Sequence, residues 1–160
     1  MSTSMETTRP APFADALPWL AFGLVAGISL LAQPVKFLTP GLSLAELVSV
    51  GATIFKASHA VQAALLVLMA LVVPPRKLDA TRSWLCLAAC AAILAFQQTI
   101  LMPPMDTRLA LLQAGAQPPP SWHHAAYVVL EVSKLATLFL LGRLPGARVA
   151  ETTTRRRSSP

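Results

Sequence analysis

Charge is what this sequence has least of for its length. Only 12% of its 160 residues are Asp, Glu, Lys or Arg, against roughly a quarter in ordinary soluble domains. A water-facing surface needs those side chains, so a soluble enzyme is excluded. Histidine and cysteine are scarce as well, three of one and two of the other. Cys86 and Cys90 lie one helical turn apart inside an apolar run, which suits packing better than a disulfide and fixes no redox compartment. No spacing anywhere in the chain is diagnostic of a catalytic motif.

What the chain has instead is apolar bulk. It is 54% hydrophobic, with a mean hydropathy of +0.58, and the apolar residues come in blocks too long for a globular core. Four blocks stand out, at 14–32, 48–73, 84–102 and 125–144. Each approximates the ~20 residues a helix needs to cross about 30 Å of hydrocarbon. In lipid the backbone must satisfy its own hydrogen bonds, so the expected fold is all-α, a four-helix transmembrane bundle. Prolines punctuate the spans: Pro34 and Pro40, Pro74-Pro75, Pro103-Pro104 and Pro118-Pro119-Pro120. Trp19, Trp84 and Trp122 mark edges at the headgroup level.

The formal net charge of +6 would ordinarily raise nucleic-acid binding. Here the basic residues flank apolar spans, so they orient the chain in the bilayer instead. Arg9, then Arg76, Lys77 and Arg82, then Arg143, Arg148 and Arg155-Arg156-Arg157 all fall on one side of a four-span protein. The other side offers little beyond Lys36 and Arg108. The positive-inside rule makes the first side cytoplasmic, with both termini in. Residues 1–13 and the basic stretch 145–160 are then cytoplasmic tails, the second one expected to be disordered. A cleaved signal peptide is the rival reading of the first span, but no small-x-small site follows it and its removal would leave an odd number of helices. Richness in Ala, Leu, Pro and Arg with few lysines fits a GC-rich bacterial genome, so the expected location is a bacterial inner membrane.

The second helix is expected to begin before its membrane entry, because Ser43-Leu44-Ala45-Glu46 fits a capping box. A helix from Leu44 to Val73 would be about 45 Å long, with a bend at Gly51. The third loop, Pro103 to His124, is the longest, with a short segment around Leu109 to Gln113 resting on the outer surface.

Ionisable groups inside a span are costly and face protein or water. The fourth span carries His124, Tyr127, Glu131 and Lys134 at spacings three, four and three, an arc of about 80°. The second adds Lys56, His59 and Gln62. In the first, Ser29, Gln33 and Lys36 share a face, and Gln97-Gln98 interrupts the third. The topology puts nearly all of them in the outer half of the bundle. Glu131 is the sole acid well inside a span, with Lys134, Lys56 and Lys36 as candidate counter-ions.

Three function classes follow. The leading one is a non-enzymatic membrane protein whose polar cluster serves structural pairing or binds a small ligand or partner. The second is an oligomeric proton-coupled carrier using Glu131, with His59 or His124 as relay, although a lysine three residues along opposes proton cycling. The third is a metal- or haem-associated electron-transfer subunit. Met102, Met105, Asp106, His123 and His124 surround one outer loop in a chemistry that suits copper, and His59 with His124 could be axial haem ligands. No fixed ligand spacing supports either, so no cofactor is expected. Gly23-x-x-x-Gly27 matches a small-xxx-small motif on a face away from Gln33 and Lys36, and could pair two protomers.

Gln33-Pro34-Val35-Lys36-Phe37 with Gly51 and Phe55 forms one set of positions. Leu101-x-Pro103-x-x-Asp106-x-Arg108, Gly115 and Ser121-x-x-His124-x-x-Tyr127-x-x-x-Glu131-x-x-Lys134 form another. Together they resemble a family of small bacterial four-helix integral membrane proteins of uncharacterised function, distantly similar to a eukaryotic transmembrane family associated with drug resistance. The resemblance implies a four-helix bundle with the stripe of the fourth helix as its part of interest, and no activity.

Overall fold

The computed structural model describes residues 13–74, 77 and 79–144. Arg9, Arg76, Arg148, the triple arginine and the expected tails 1–13 and 145–160 lie outside the described residues, apart from Phe13, which begins the first helix. The described residues are 86% helical with no strands among them, in four helices long and apolar enough to span a membrane: α1 Phe13–Leu38, α2 Leu44–Val72, α3 Ala80–Gln113 and α4 His123–Arg143. They alternate in direction. One end of the bundle, the terminal end, gathers the start of α1, the α2–α3 connection and the end of α4. There the buried Lys77 ammonium donates to Asp15 Oδ1 at 3.0 Å and to the Leu144 carbonyl at 2.9 Å. The opposite, loop end carries the α1–α2 and α3–α4 connections.

Two helices run further than the proline punctuation suggests. Pro34 lies inside α1, and Pro103 and Pro104 lie inside α3, so none of these three separates elements, whereas Pro40 falls in the α1–α2 connection. Proline lacks an N–H and its ring collides with the carbonyl four residues back. Those carbonyls belong to Leu30, Thr99 and Ile100, and every one of them falls in a π-helical segment, Gly27–Ala32 or Gln97–Leu101. The wider π turn makes room for the ring where an α turn would break. The expected first and third spans therefore lengthen to Leu38 and Gln113. The expected loop from Pro103 to His124 shrinks to 114–122, and Leu109 to Gln113 continue the helix rather than forming a separate surface segment.

The ends are set by local chemistry. Ser43 and Glu46 form a complete capping box, with Ser43 N donating to Glu46 Oε2 at 2.7 Å and Glu46 N donating to Ser43 Oγ at 3.3 Å. Asp79 caps α3 by accepting from Arg82 N at 2.9 Å. That helix stops at Gly115, whose φ of 78° no β-carbon residue adopts cheaply. Bonds from Ala116 N to Leu111 O and from Gly115 N to Leu112 O complete a Schellman motif.

Packing divides the bundle in two. In the terminal half, Leu17, Val25, Met69, Leu87, Leu138 and Leu141 form one apolar core. Trp19 closes it, edge-on to Phe139 at 5.5 Å and seated over Gly142, where an added Cβ would come within 2.7 Å of the indole. The ring thus packs on α4 as well as reaching the surface. The loop half has a smaller core of Phe55, Leu101, Met102 and Tyr127. Outside, large apolar side chains such as Leu31, Leu71, Leu85 and Leu140 are exposed on all four helices. A helix apolar all round suits lipid, where packing rather than hydrophobic burial holds the bundle. Gly23 and Gly27 look out of the bundle, with no atom within 4 Å of an added Cβ.

Candidate functional site

The polar side chains of the four helices meet as separate groups. The deepest joins α3 and α4. Lys134 Nζ donates to Glu131 Oε1 at 2.9 Å and to Gln97 Oε1 at 2.8 Å, while Gln97 Nε2 donates to the same Glu131 oxygen at 3.1 Å. All three side chains are buried. The i to i+3 step on α4 stacks Lys134 on Glu131, and the π turn that begins at Gln97 presents the amide to both. Glu131 Oε2 accepts from Ser29 Oγ on α1 at 3.2 Å. Every partner in this triad is matched, which is what a low-dielectric interior demands of an ion pair.

One turn nearer the loop end, His59 bridges three helices. Its Nδ1 lies 2.7 Å from Gln98 Oε1 and its Nε2 lies 2.7 Å from the Tyr127 hydroxyl. With the Gln98 oxygen accepting from Nδ1–H, Nε2 accepts from the Tyr127 O–H. Phe55 packs on Tyr127 with ring centroids 4.8 Å apart. Both imidazole nitrogens are thus engaged by side chains of neighbouring helices.

A third group joins α1 to α2. Gln33 Nε2 donates to the Gly51 carbonyl at 3.3 Å, and Lys36 Nζ donates to Gln33 Oε1 at 2.6 Å. The ammonium sits over the bare Cα of Gly51, where any β-carbon would collide with it. Gly51 thus provides a close approach within an uninterrupted α2. Lys36 and Lys56 are not counter-ions of Glu131: Lys36 is held by Gln33, and Lys56 pairs with Asp106 at 3.0 Å on the surface. Gln62 lies deeper, donating to Ser58 Oγ at 2.8 Å, with its own oxygen buried and without a hydrogen-bond partner among the described residues.

Of the metal candidates, Met102, Met105, Asp106 and His124 border one cavity and His123 does not. Met102 is buried against Tyr127, Met105 and His124 face a cavity, and His123 bonds Ser121 Oγ and stacks on Trp122. Among the described residues no group of three or more His, Cys, Asp and Glu is arranged to hold a metal ion.

The larger feature is that cavity, of about 560 Å³, in the loop half between all four helices. Its floor includes Phe55, Tyr127 and Leu135; Ser29, Gln33, Lys36, Asp106, Arg108 and Glu131 supply polar atoms to its walls. Ligand sites of small molecules have this size and this mixture, mostly apolar with a few fixed polar groups. Sequence periodicity found the stripe on α4 and the face of Ser29, Gln33 and Lys36 on α1, but not Arg108 or Gly51 as wall elements. Gly51 carries no side chain to attract notice, and the α3 wall depends on a helix continuing through two prolines.

No protein-family model, curated protein or solved structure matches this chain. The fold and its four apolar helices define the class: a multi-pass membrane protein.

Proposed function

We propose that this chain is a non-enzymatic protein of the bacterial inner membrane, with both termini cytoplasmic, whose outer half binds a small ligand. The cavity of about 560 Å³ carries the reading. A bundle built only for structure fills its interior, as the terminal half does. The polar cluster then divides its labour. Glu131, Lys134 and Gln97 fix the register of α3 against α4, and the residues around them leave space with polar atoms on its wall. A Glu131 proton carrier is the less favoured alternative, because both carboxylate oxygens already have protein partners.

The test is the melting temperature of detergent-purified protein against a panel of lipophilic and polar small molecules. Wild type is compared with Ala52→Phe, which places a ring in the cavity, and with Glu131→Gln. Ligand-dependent stabilisation of wild type that disappears in Ala52→Phe is the expected result. Equal shifts in both proteins would place the ligand elsewhere and sink the reading. Glu131→Gln is expected to melt lower with or without ligand, as a pairing residue should; an unchanged melting point with a lost ligand response would make Glu131 a working group instead.

A further inference from the structure

The cavity wall is not closed all round. In the terminal half the helices form a complete ring, α1 against α2 and α4, α3 against α2 and α4. In the loop half three of the seams persist: Gln33 ties α1 to Gly51 of α2, Lys56 of α2 pairs with Asp106 of α3, and Gln97 of α3 holds Glu131 of α4. The seam between α1 and α4 is dense along Phe13–Ala26, and its last polar tie is Ser29 to Glu131. Around that tie Leu30 on α1 and Val128 and Val132 on α4 line the cavity, yet they are 62%, 47% and 53% exposed. Side chains that border a cavity and remain this open mark its mouth. This opening is apolar and lies on the flank of the bundle, within the length of the spans, so a molecule dissolved in hydrocarbon can reach it; Phe37, 50% exposed, borders the cavity nearer the loop end.

The charges on the wall have one sign left over. Glu131 is neutralised by Lys134, and Asp106 by Lys56. Lys36 donates to the neutral Gln33 amide and lies 4.9 Å from the centre of the Phe37 ring. Arg108 donates to the Pro119 carbonyl. Neither cation has an acidic partner among the described residues, and both sit toward the loop end, the level of lipid headgroups. Gly51 makes the position of Lys36 possible.

We propose that the occupant is a bilayer-dissolved amphiphile with a single anionic head and one apolar chain, entering sideways between α1 and α4. Its head is held by Lys36 and Arg108, and its chain runs inward past Phe55 toward Leu135. This rests on the ligand-binding reading above and narrows it to a chemical class. A soluble anion has no use for an apolar side door. A cationic amphiphile would meet two unneutralised cations.

The experiment uses the full chain in nanodiscs of zwitterionic lipid with palmitate carrying a mid-chain diazirine, photolysed and mapped by peptide mass. Label is expected on α1 around Leu30 and on α4 around Val128 and Val132, displaced by palmitate and not by hexadecanol. Lys36→Gln with Arg108→Gln should weaken displacement by palmitate about tenfold, the worth of a charged hydrogen bond. Val128→Trp plugs the mouth at an exposed position where bulk disturbs no packing, and should reduce labelling with the melting point unchanged. That variant keeps the test intact if the charge variants misfold. Equal displacement by hexadecanol would overturn the anionic head, and labelling indifferent to Val128→Trp would overturn side entry. If palmitate does not bind but tetraphenylphosphonium stabilises wild type and not Ala52→Phe, this inference fails while the cavity reading stands. If neither compound stabilises wild type, both fall.

Discussion

The two halves of the bundle solve different problems with the same four helices. The terminal half is a closed ring around an apolar core, capped by Trp19 over Gly142 and tied by Lys77. The loop half contains the π turns, the buried ion pair and the cavity, and one of its seams is open. The contrast teaches that stability and space are segregated along the membrane normal: one half holds the helices together so that the other need not be filled.

The triad at the boundary should show the largest effect. Removing one member of a buried pair strands a charge, so Lys134→Met is expected to destabilise by about 3–5 kcal/mol. Combining it with Glu131→Gln should recover much of that loss, read by thermal or denaturant unfolding in detergent. A double variant as unstable as the single one would show that the pair does more than neutralise itself. Next comes Gly142→Ala, which drives a methyl into Trp19 and should cost about 1–3 kcal/mol by overpacking; the equivalent change at outward-facing Gly23 should cost far less, and equal costs would erase the packed character of the terminal half. Tyr127→Phe removes the hydroxyl bonded to His59 and should cost about 0.6–1.5 kcal/mol. The smallest effect is expected at the exposed Arg82–Asp79 pair, where Arg82→Ala should change stability by less than about 1 kcal/mol.

Much of this division was legible in sequence, and the parts that were not have physical reasons. The number of helices follows from runs of apolar residues that only lipid can accommodate. The capping box at Ser43 and Glu46 fixed the start of α2 because both partners are local. The spacing of Tyr127, Glu131 and Lys134 placed them on one stripe. Partnership across helices is another matter: three lysines were equally available to Glu131, and only the fold shows that Lys36 is held over Gly51 and Lys56 by Asp106. Proline misled at Pro34, Pro103 and Pro104, since a π turn immediately before each leaves the helix unbroken. A cavity leaves no mark on hydrophobic periodicity at all, because the residues around an empty space are the same types that would fill it.

One pair of variants tests the contrast most directly: Ala52→Phe in the loop half and Ala21→Phe in the terminal half, compared by melting temperature in the same detergent. Ala52 borders the cavity, whereas Ala21 is 3% exposed within the packed core. A hollow loop half predicts that Ala52→Phe melts close to wild type while Ala21→Phe loses about 1–3 kcal/mol or fails to fold. Equal losses at the two positions would mean that both halves are packed alike, and the division of the bundle into a holding half and a binding half would be wrong.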